Sequence, residues 1–231
     1  MDRKGPLKIA MATLGCKTNQ SDAASLASEL VSQGHEIVPF REAADVYIIH
    51  TCTVTQKTDY QSRQLVRRSI GRNPGAQVIV TGCYAQVSPE ALQAIAGVNY
   101  VIGVAERGRI PELLRSGEKP EGVHILSSPV EKQRAFEEWR LPRYADRTRA
   151  FLKVQDGCNS FCSYCIVPYA RGRNRSLPLE RVVSQARELS AQGYQEVVLT
   201  GIHLGTYGED LLPSQSLLTL LQALEGEKGN F

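Results

Sequence analysis

The stretch QVIVTGC at residues 77–83 joins an apolar strand pattern to a glycine and a cysteine, and a helix signal follows it. The same order of strand, cysteine and helix recurs upstream, in KIAMATLGC at residues 8–16 and, without the glycine, in VYIIHTC at residues 46–52. Strands that alternate with helices in this way predict a parallel sheet with helices on both faces. We therefore predict an α/β fold in which residues 6–117 form a doubly wound, parallel-sheet domain.

Hydrophobic periodicity and turn residues place the elements of this domain. The predicted strands are residues 7–14, 45–50, 77–81 and 100–104, with a weaker one at 36–40. The predicted helices are residues 21–33, 58–70, 89–96 and 110–115. In the first helix, Leu26, Leu30 and Val31 are expected to face the core.

Beyond this domain the pattern gives way to Gly, Pro, Ser and charged residues, which predicts a linker at 118–146 with a weak strand at 123–126. A second unit follows over residues 147–231. Its predicted elements are a strand at 149–155, a helix at 179–192, a strand at 196–201 and a helix at 214–225. Two β/α units do not close a barrel or cover both sheet edges. The sequence is therefore expected to be a fragment that ends inside a partial β/α barrel.

The composition is that of an ordinary globular protein, with 42% hydrophobic residues, 22% charged residues and a net charge of +3. No apolar run approaches the ~18 residues of a membrane span. The N-terminal MDRKGPLKIA lacks a signal-peptide pattern. A cytoplasmic location without membrane association is the expectation.

The chain has six cysteines, and a cytosolic protein has little use for disulfides, so metal binding or catalysis is the better interpretation. Cys158, Cys162 and Cys165 form C-x-x-x-C-x-x-C directly after a predicted strand. Three thiolates on one loop can hold three irons of a four-iron cluster and leave the fourth iron open. Structural zinc is the alternative, but it requires four ligands, and the nearest candidate, His203, lies beyond the next strand.

Cys16, Cys52 and Cys83 each follow an apolar strand and precede a helix. The carboxyl ends of parallel strands share one edge of a sheet, where ligands gather. One such cysteine alone would be interpreted as a core residue. Three in the same topological position predict a second three-cysteine cluster site.

The C-x-x-x-C-x-x-C motif after a first barrel strand resembles the signature of radical S-adenosylmethionine enzymes. The resemblance implies that the open iron binds the amino and carboxylate groups of S-adenosylmethionine. It also implies that Tyr164 contacts the adenine and that Thr200 and Gly201 lie near the methionine amino group. The LTGIH sequence at residues 199–203 departs from the family's common Gly-Gly-Glu form.

Three dispersed cysteines followed by a radical domain resemble the methylthiotransferases. The segments that carry this resemblance are LGCKTNQ at 14–20, HTCTVT at 50–55 and TGCYAQ at 81–86. LGCKTNQ is similar to the branch that modifies N6-threonylcarbamoyladenosine next to the anticodon of tRNA. His50 stands where the family usually has Asn.

The resemblance implies two 4Fe-4S clusters with separate tasks. The cluster of Cys158, Cys162 and Cys165 cleaves S-adenosylmethionine to a 5′-deoxyadenosyl radical, which takes the hydrogen from C2 of the adenine. The cluster of the other three cysteines presents a methylated sulfur for insertion. The implied partners are tRNA, a low-potential electron donor of the flavodoxin or ferredoxin type, and a sulfur source. Three arginines after the motif are expected to contact RNA phosphates: Arg171, Arg173 and Arg175.

Other functions stay open at this point. Within the family, the target is alternatively an aspartate of a ribosomal protein. Outside it, the chain is either an iron–sulfur protein for electron transfer or sensing, or a zinc-stabilised nucleic-acid-binding module. Cleavage of S-adenosylmethionine separates the enzyme from the electron-transfer protein. The presence of inorganic sulfide excludes the zinc module.

Overall fold

A computed structural model describes residues 5–117, 119–143 and 148–227. The strands are β1 Lys8–Thr13, β2 Glu36–Val38, β3 Val46–Thr51, β4 Gln77–Gly82, β5 Tyr100–Ile102, β6 His124–Leu126, β7 Arg149–Lys153, β8 Gln155–Asp156, β9 Arg175–Ser176 and β10 Glu196–Thr200. The α-helices are α1 Lys17–Ser32, α2 Gln56–Arg72, α3 Cys83–Val87, α4 Pro89–Gln93, α5 Ile110–Ser116, α6 Val167–Arg171, α7 Leu179–Ala191 and α8 Leu217–Glu225.

The first six strands form one parallel sheet in the order β2-β1-β3-β4-β5-β6. Apolar residues of α2 and α4 pack on one face, including Val66 and Leu92. Those of α1 and α5 pack on the other, including Leu26 and Ile110. The predicted doubly wound α/β domain is confirmed. The strand order reverses between β1 and β3, and such a switch point leaves a crevice at the carboxyl edge of the sheet.

The weak strand predicted at 123–126 is present as β6, which pairs in parallel with β5 and so joins the sheet of the first domain, with Tyr100 opposite His124. One detail of this domain differs from the sequence expectation. The prediction for Val31 is wrong, because its side chain is 53% exposed. It lies one residue beyond the buried Leu30, and successive helical residues point about 100° apart.

The second unit pairs β7 and β10 in parallel, as expected for the start of a β/α barrel. Its core includes Leu152, Val182, Leu189 and Leu220. The chain leaves the sheet after β7, and the short strand β8 pairs antiparallel with β9. The predicted boundaries at residues 118 and 146–147, and the end at 231, fall on residues outside the described ranges. Across those ranges, no helix has the length and apolar character of a membrane span.

Helix α1 lies between the two units and is buried on two sides. Leu26 and Leu30 pack on the six-stranded sheet. An adjoining side carries small polar residues that are also buried: Thr18, Ser21, Asp22, Ser25 and Ser28. The Ser21 hydroxyl donates to the carbonyl of Phe151 in β7 at 3.4 Å. Small side chains here let the second unit approach the helix closely.

Candidate metal centres

The structure brings Cys16, Cys52 and Cys83 to neighbouring loops at the carboxyl edge of the sheet. Cys16 precedes α1, Cys52 follows β3, and Cys83 begins α3. Strand β3 is hydrogen-bonded to both β1 and β4, with Thr51 opposite Gly82. The three loops therefore border the switch point between β1 and β3, where ligands of such sheets bind.

The glycines before two of these cysteines are required by close approach. Gly82 has φ +99°, and a Cβ there would lie 2.4 Å from the carbonyl oxygen of Thr51. Gly15 has φ +101°, and a Cβ there would lie 2.8 Å from the Sγ of Cys52. Side chains at these positions are excluded both by the backbone conformation and by space. The G-C pairs of the sequence thus allow the cysteine loops to pack together.

The second cysteine set lies on the loop between β8 and α6. The amide of Cys158 donates to the carbonyl of Gly172 at 3.0 Å, and the amide of Cys165 donates to that of Cys162 at 2.9 Å. Cys162 is exposed, and Cys158 and Cys165 are partly buried. The loop is therefore open to solvent at Cys162.

Gln155 joins this loop to the end of β10. Its side-chain oxygen accepts from the amides of Ile202 and His203 at 2.7 and 2.8 Å. Its Nε2 donates to the carbonyl of Gly157 at 2.7 Å. The side chain is fully buried, so these bonds fix the cysteine loop relative to the β10 end.

The residues implied for S-adenosylmethionine have different environments. Tyr164 is 88% exposed. Thr200 is buried, with its hydroxyl 3.4 Å from that of Thr18 in α1. A Cβ at Gly201 would lie 2.7 Å from the Gln155 side-chain oxygen. Cofactor binding by these three residues stays a prediction.

His203 lies closer to the motif than the sequence indicated. Its Nδ1 is 3.9 Å from the Sγ of Cys158, which places the candidate fourth zinc ligand beside the loop. Among the described residues, however, no three Cys, His, Asp or Glu side chains could hold a single metal ion.

The prediction that Arg171 and Arg175 contact RNA phosphates is wrong, because both side chains are buried. Arg171 is 1% exposed and Arg175 is 3% exposed. The Arg175 guanidinium donates to the carbonyls of Arg171 and Arg173 at 2.8 and 3.1 Å. Neither buried side chain is available to RNA phosphates. Arg173 is exposed and stacks over the Phe161 ring at 4.6 Å, and its contact with RNA stays a prediction.

Arg171 instead belongs to a buried network of charges between the two units. Its guanidinium donates to Asp156 at 2.9 Å, to Asp22 at 3.1 Å and to the side-chain oxygen of Asn19. Arg107 and Lys153 also bind Asp22, each at 2.5 Å. These groups come from both units, so the network binds α1 of the first unit to the second unit.

The network keeps its carboxyl groups ionised. Burial alone would raise the pKa of Asp22, but the charges of Arg107, Lys153 and Arg171 outweigh it and hold that pKa well below its ordinary value. Burial would also raise the pKa of Asp156, but the charges of Arg171 and Lys153 lower it below its ordinary value. Charges desolvated in this way persist only when paired.

The network also reaches the first cysteine set. Arg171 Nε donates to Cys83 Sγ at 3.3 Å. Burial raises the pKa of the Cys83 thiol, and the Arg171 guanidinium opposes this effect. A guanidinium directed at a buried sulfur favours the thiolate, which is the form that ligates iron. All six cysteines are free thiols. The donor set therefore fits iron–sulfur clusters.

His50 is the remaining polar group beside this site. It is 1% exposed, and within the described part of the chain neither of its ring nitrogens has a hydrogen-bond partner. Burial lowers the pKa of His50 to about 3. The imidazole is therefore neutral, two residues before Cys52.

Sequence reasoning missed the network because its members are far apart in the chain. Asp22 and Arg107 lie on a helix and in a short 3-10 segment with no motif around them. Lys153 did carry a signal, since a lysine in an otherwise buried strand requires a buried partner. Gln155 and Asp156 precede the cysteine motif directly, and that adjacency was the available indication of a role.

Comparisons with known proteins place both units. Residues 8–103 match the model of uncharacterized protein family UPF0004, and residues 152–224 match the radical SAM superfamily. The chain is similar in structure to the radical S-adenosylmethionine methyltransferase TsrM from Kitasatospora setae. That likeness has a TM-score of 0.60 at 15% identity, over 94% of this chain and 52% of that one. At this identity it supports the fold.

Curated relatives are similar over most of the chain. The threonylcarbamoyladenosine tRNA methylthiotransferase MtaB of Bacillus subtilis is 46% identical, over 88% of this chain and 45% of its own length. The ribosomal protein uS12 methylthiotransferase RimO of Chloroflexus aurantiacus is 32% identical, over 94% of this chain and 51% of its own length. The chain thus spans about half the length of the curated relatives it matches. Its two domain matches and these identities show that it belongs to the radical S-adenosylmethionine methylthiotransferase family.

Proposed function

We propose that the protein is a tRNA methylthiotransferase that inserts a methylthio group at C2 of N6-threonylcarbamoyladenosine next to the anticodon. The observation that carries the proposal is the pair of three-cysteine sets, one at the sheet switch point and one on the β8–α6 loop, linked through Arg171. The greater identity to the tRNA-modifying relative than to the ribosomal-protein relative supports the choice of substrate.

Two 4Fe-4S clusters and S-adenosylmethionine, when bound, would supply an organic radical at one site and the sulfur at the other. Cys158, Cys162 and Cys165 would hold the cluster that serves the radical, and Cys16, Cys52 and Cys83 the cluster that serves the sulfur. Tyr164, Thr200 and Gly201 would contact S-adenosylmethionine. Gln155 holds the end of β10 against the Cys158–Cys165 loop. It would therefore keep the cofactor and the cluster at a fixed distance from each other.

Recognition of the base requires that it leave the stacked helix, because an enzyme cannot reach an atom inside a stack. Exposed groups beside the cysteine loop suit an unstacked RNA loop. Phe161 and Tyr169 meet edge to face with centroids 5.8 Å apart, and Arg173 lies over Phe161. Aromatic rings and arginine planes of this kind stack on bases.

The further partners follow from the chemistry. The exposed side of the Cys158–Cys165 loop would admit a low-potential electron donor of the flavodoxin or ferredoxin type. A sulfur source would supply the N-terminal site. tRNA as the substrate implies a cytoplasmic location.

The test is mass spectrometry of tRNA nucleosides from a strain that lacks the gene, complemented with wild-type or variant protein. Wild-type protein is expected to restore the 2-methylthio nucleoside. Cys162→Ala and Cys52→Ala are each expected to fail, but for different reasons. Purified Cys162→Ala should lose reductive cleavage of S-adenosylmethionine, whereas Cys52→Ala should retain it.

Two outcomes contradict the proposal. Unchanged tRNA nucleosides together with loss of methylthioaspartate from a ribosomal protein would transfer the activity to that substrate. Retention of S-adenosylmethionine cleavage in the Cys162→Ala protein would show that the motif does not hold the cofactor-binding cluster.

A further inference from the structure

Arg171 lies in the same segment as one cysteine set, and its side chain contacts the other. It lies at the end of α6, six residues after Cys165. Its guanidinium nevertheless contacts the other set, with Nε donating to Cys83 Sγ at 3.3 Å. Because the side chain is 1% exposed, water does not compete for this hydrogen bond.

The orientation of the guanidinium is fixed by its other bonds. Nη1 donates to Asp156 at 2.9 Å, and Nη2 donates to Asp22 at 3.1 Å. Asn19 accepts a further bond from Nη2 and also binds the carbonyl of Thr51 at 3.0 Å, beside Cys52. A planar group held on three sides keeps its Nε–H directed at the sulfur.

The physical effect of such a donor on a cluster has a definite sign. Reduction adds negative charge to a cluster, and much of that charge resides on its sulfurs. A hydrogen bond and a cation at a ligating sulfur stabilise the reduced form more than the oxidised form. The reduction potential therefore rises.

We propose that Arg171 is a positioning residue that raises the reduction potential of a cluster held by Cys16, Cys52 and Cys83, and that it does so from the loop of the other three cysteines. The inference rests on the proposed function, since it requires a cluster at the N-terminal site. It gives the radical unit a direct physical influence on the electronic state of the sulfur-donating site.

The experiment uses the full-length protein in which Cys158, Cys162 and Cys165 are changed to Ala, so that only the N-terminal cluster remains. In this parent, Arg171→Gln and Arg171→Lys are compared with Arg107→Gln. Arg107 is a matched control because it is also buried and binds Asp22, but its remaining partners are the carboxylates of Glu137 and Asp156 rather than a sulfur. The readouts are the midpoint potential from an EPR-monitored titration and the Fe–S(Cys) stretching bands in resonance Raman spectra.

Both Arg171 variants are expected to shift the potential to more negative values and to move the Fe–S(Cys) bands. The shift in potential should be smaller for Arg171→Lys, because lysine retains the positive charge. If the Arg171→Gln protein does not fold, the Arg171→Lys protein still gives a potential to compare with the parent. Arg107→Gln should change neither readout. Unshifted potentials in cluster-loaded Arg171 variants, or an equal shift from Arg107→Gln, would overturn this inference but leave the proposed function standing. A parent protein without iron would overturn the N-terminal cluster itself, and the inference with it.

Discussion

Arg173 is the arginine of the RGRNR segment at residues 171–175 whose side chain reaches solvent. We predict that Arg173→Ala weakens tRNA binding by the full-length enzyme and reduces the slope of log affinity against log salt by about 1, as loss of one phosphate contact requires. Filter binding at several salt concentrations measures both quantities.

The matched control is Arg187→Ala, which makes the same change in net charge. Arg187 is exposed and pairs with Glu227, away from the cysteine loop. Its loss should leave the salt slope unchanged. Equal effects of the two variants would mean that RNA binding depends on overall charge rather than on Arg173 beside the cysteine loop.

At the residue scale, the sequence predicted which cysteines lie together but not what surrounds them. Strand ends of a parallel sheet share an edge, so position along the chain was sufficient for Cys16, Cys52 and Cys83. The direction of a side chain depends on the backbone after the motif. Gly172, with φ +76°, turns the chain there. Arg171 consequently points into the protein and Arg173 out of it, a difference that the spacing R-G-R does not encode.

Helix α1 is the element on which the association of the two units depends. We predict that Ser21→Leu destabilises the protein by about 1–3 kcal/mol, because the larger side chain has no space against the backbone of β7. Urea unfolding followed by circular dichroism measures the loss. The control is Ser32→Leu, at the exposed end of the same helix, with an expected change within about 0.5 kcal/mol. Similar losses for both variants would show that α1 does not pack closely on β7.

At the element scale, the strands and helix α7 were predicted closely, whereas the start of α1 was not. Apolar strand patterns gave β1, β3 and β4 within about two residues, the usual uncertainty of such boundaries. Helix α1 begins at Lys17 rather than at the predicted residue 21. Its first turn is polar and shows no apolar periodicity, yet Thr18 and Asn19 are buried because the second unit covers them. The hydrophobic periodicity of a helix indicates which side packs on its own domain. It does not indicate which residues a second domain will cover.

At the scale of the whole molecule, the buried charges determine the response to acid. The folded-state pKa of Asp22 lies below its unfolded value, so its contribution to stability is present at neutral pH and is lost as the pH falls through the acid range. We predict that Asp22→Asn costs about 3–5 kcal/mol at pH 7, because it leaves buried cations unpaired. The difference from wild type should narrow below about pH 4.

Urea unfolding at pH 7 and at pH 3 measures this difference. Glu196→Gln is the control, since it removes an exposed ion pair with Arg149, which is worth at most about 1 kcal/mol. An Asp22→Asn penalty that is equally large at both pH values would contradict the assigned role of the ionised carboxylate.

The proposed function requires that one chain holds two separate clusters. The iron and sulfide content of the anaerobically reconstituted full-length protein measures this. We predict about eight irons and eight sulfides per chain, and about half of each after Cys158, Cys162 and Cys165 are changed together to Ala. Zinc without sulfide in the wild-type protein, or the loss of all iron in the triple variant, would contradict the claim.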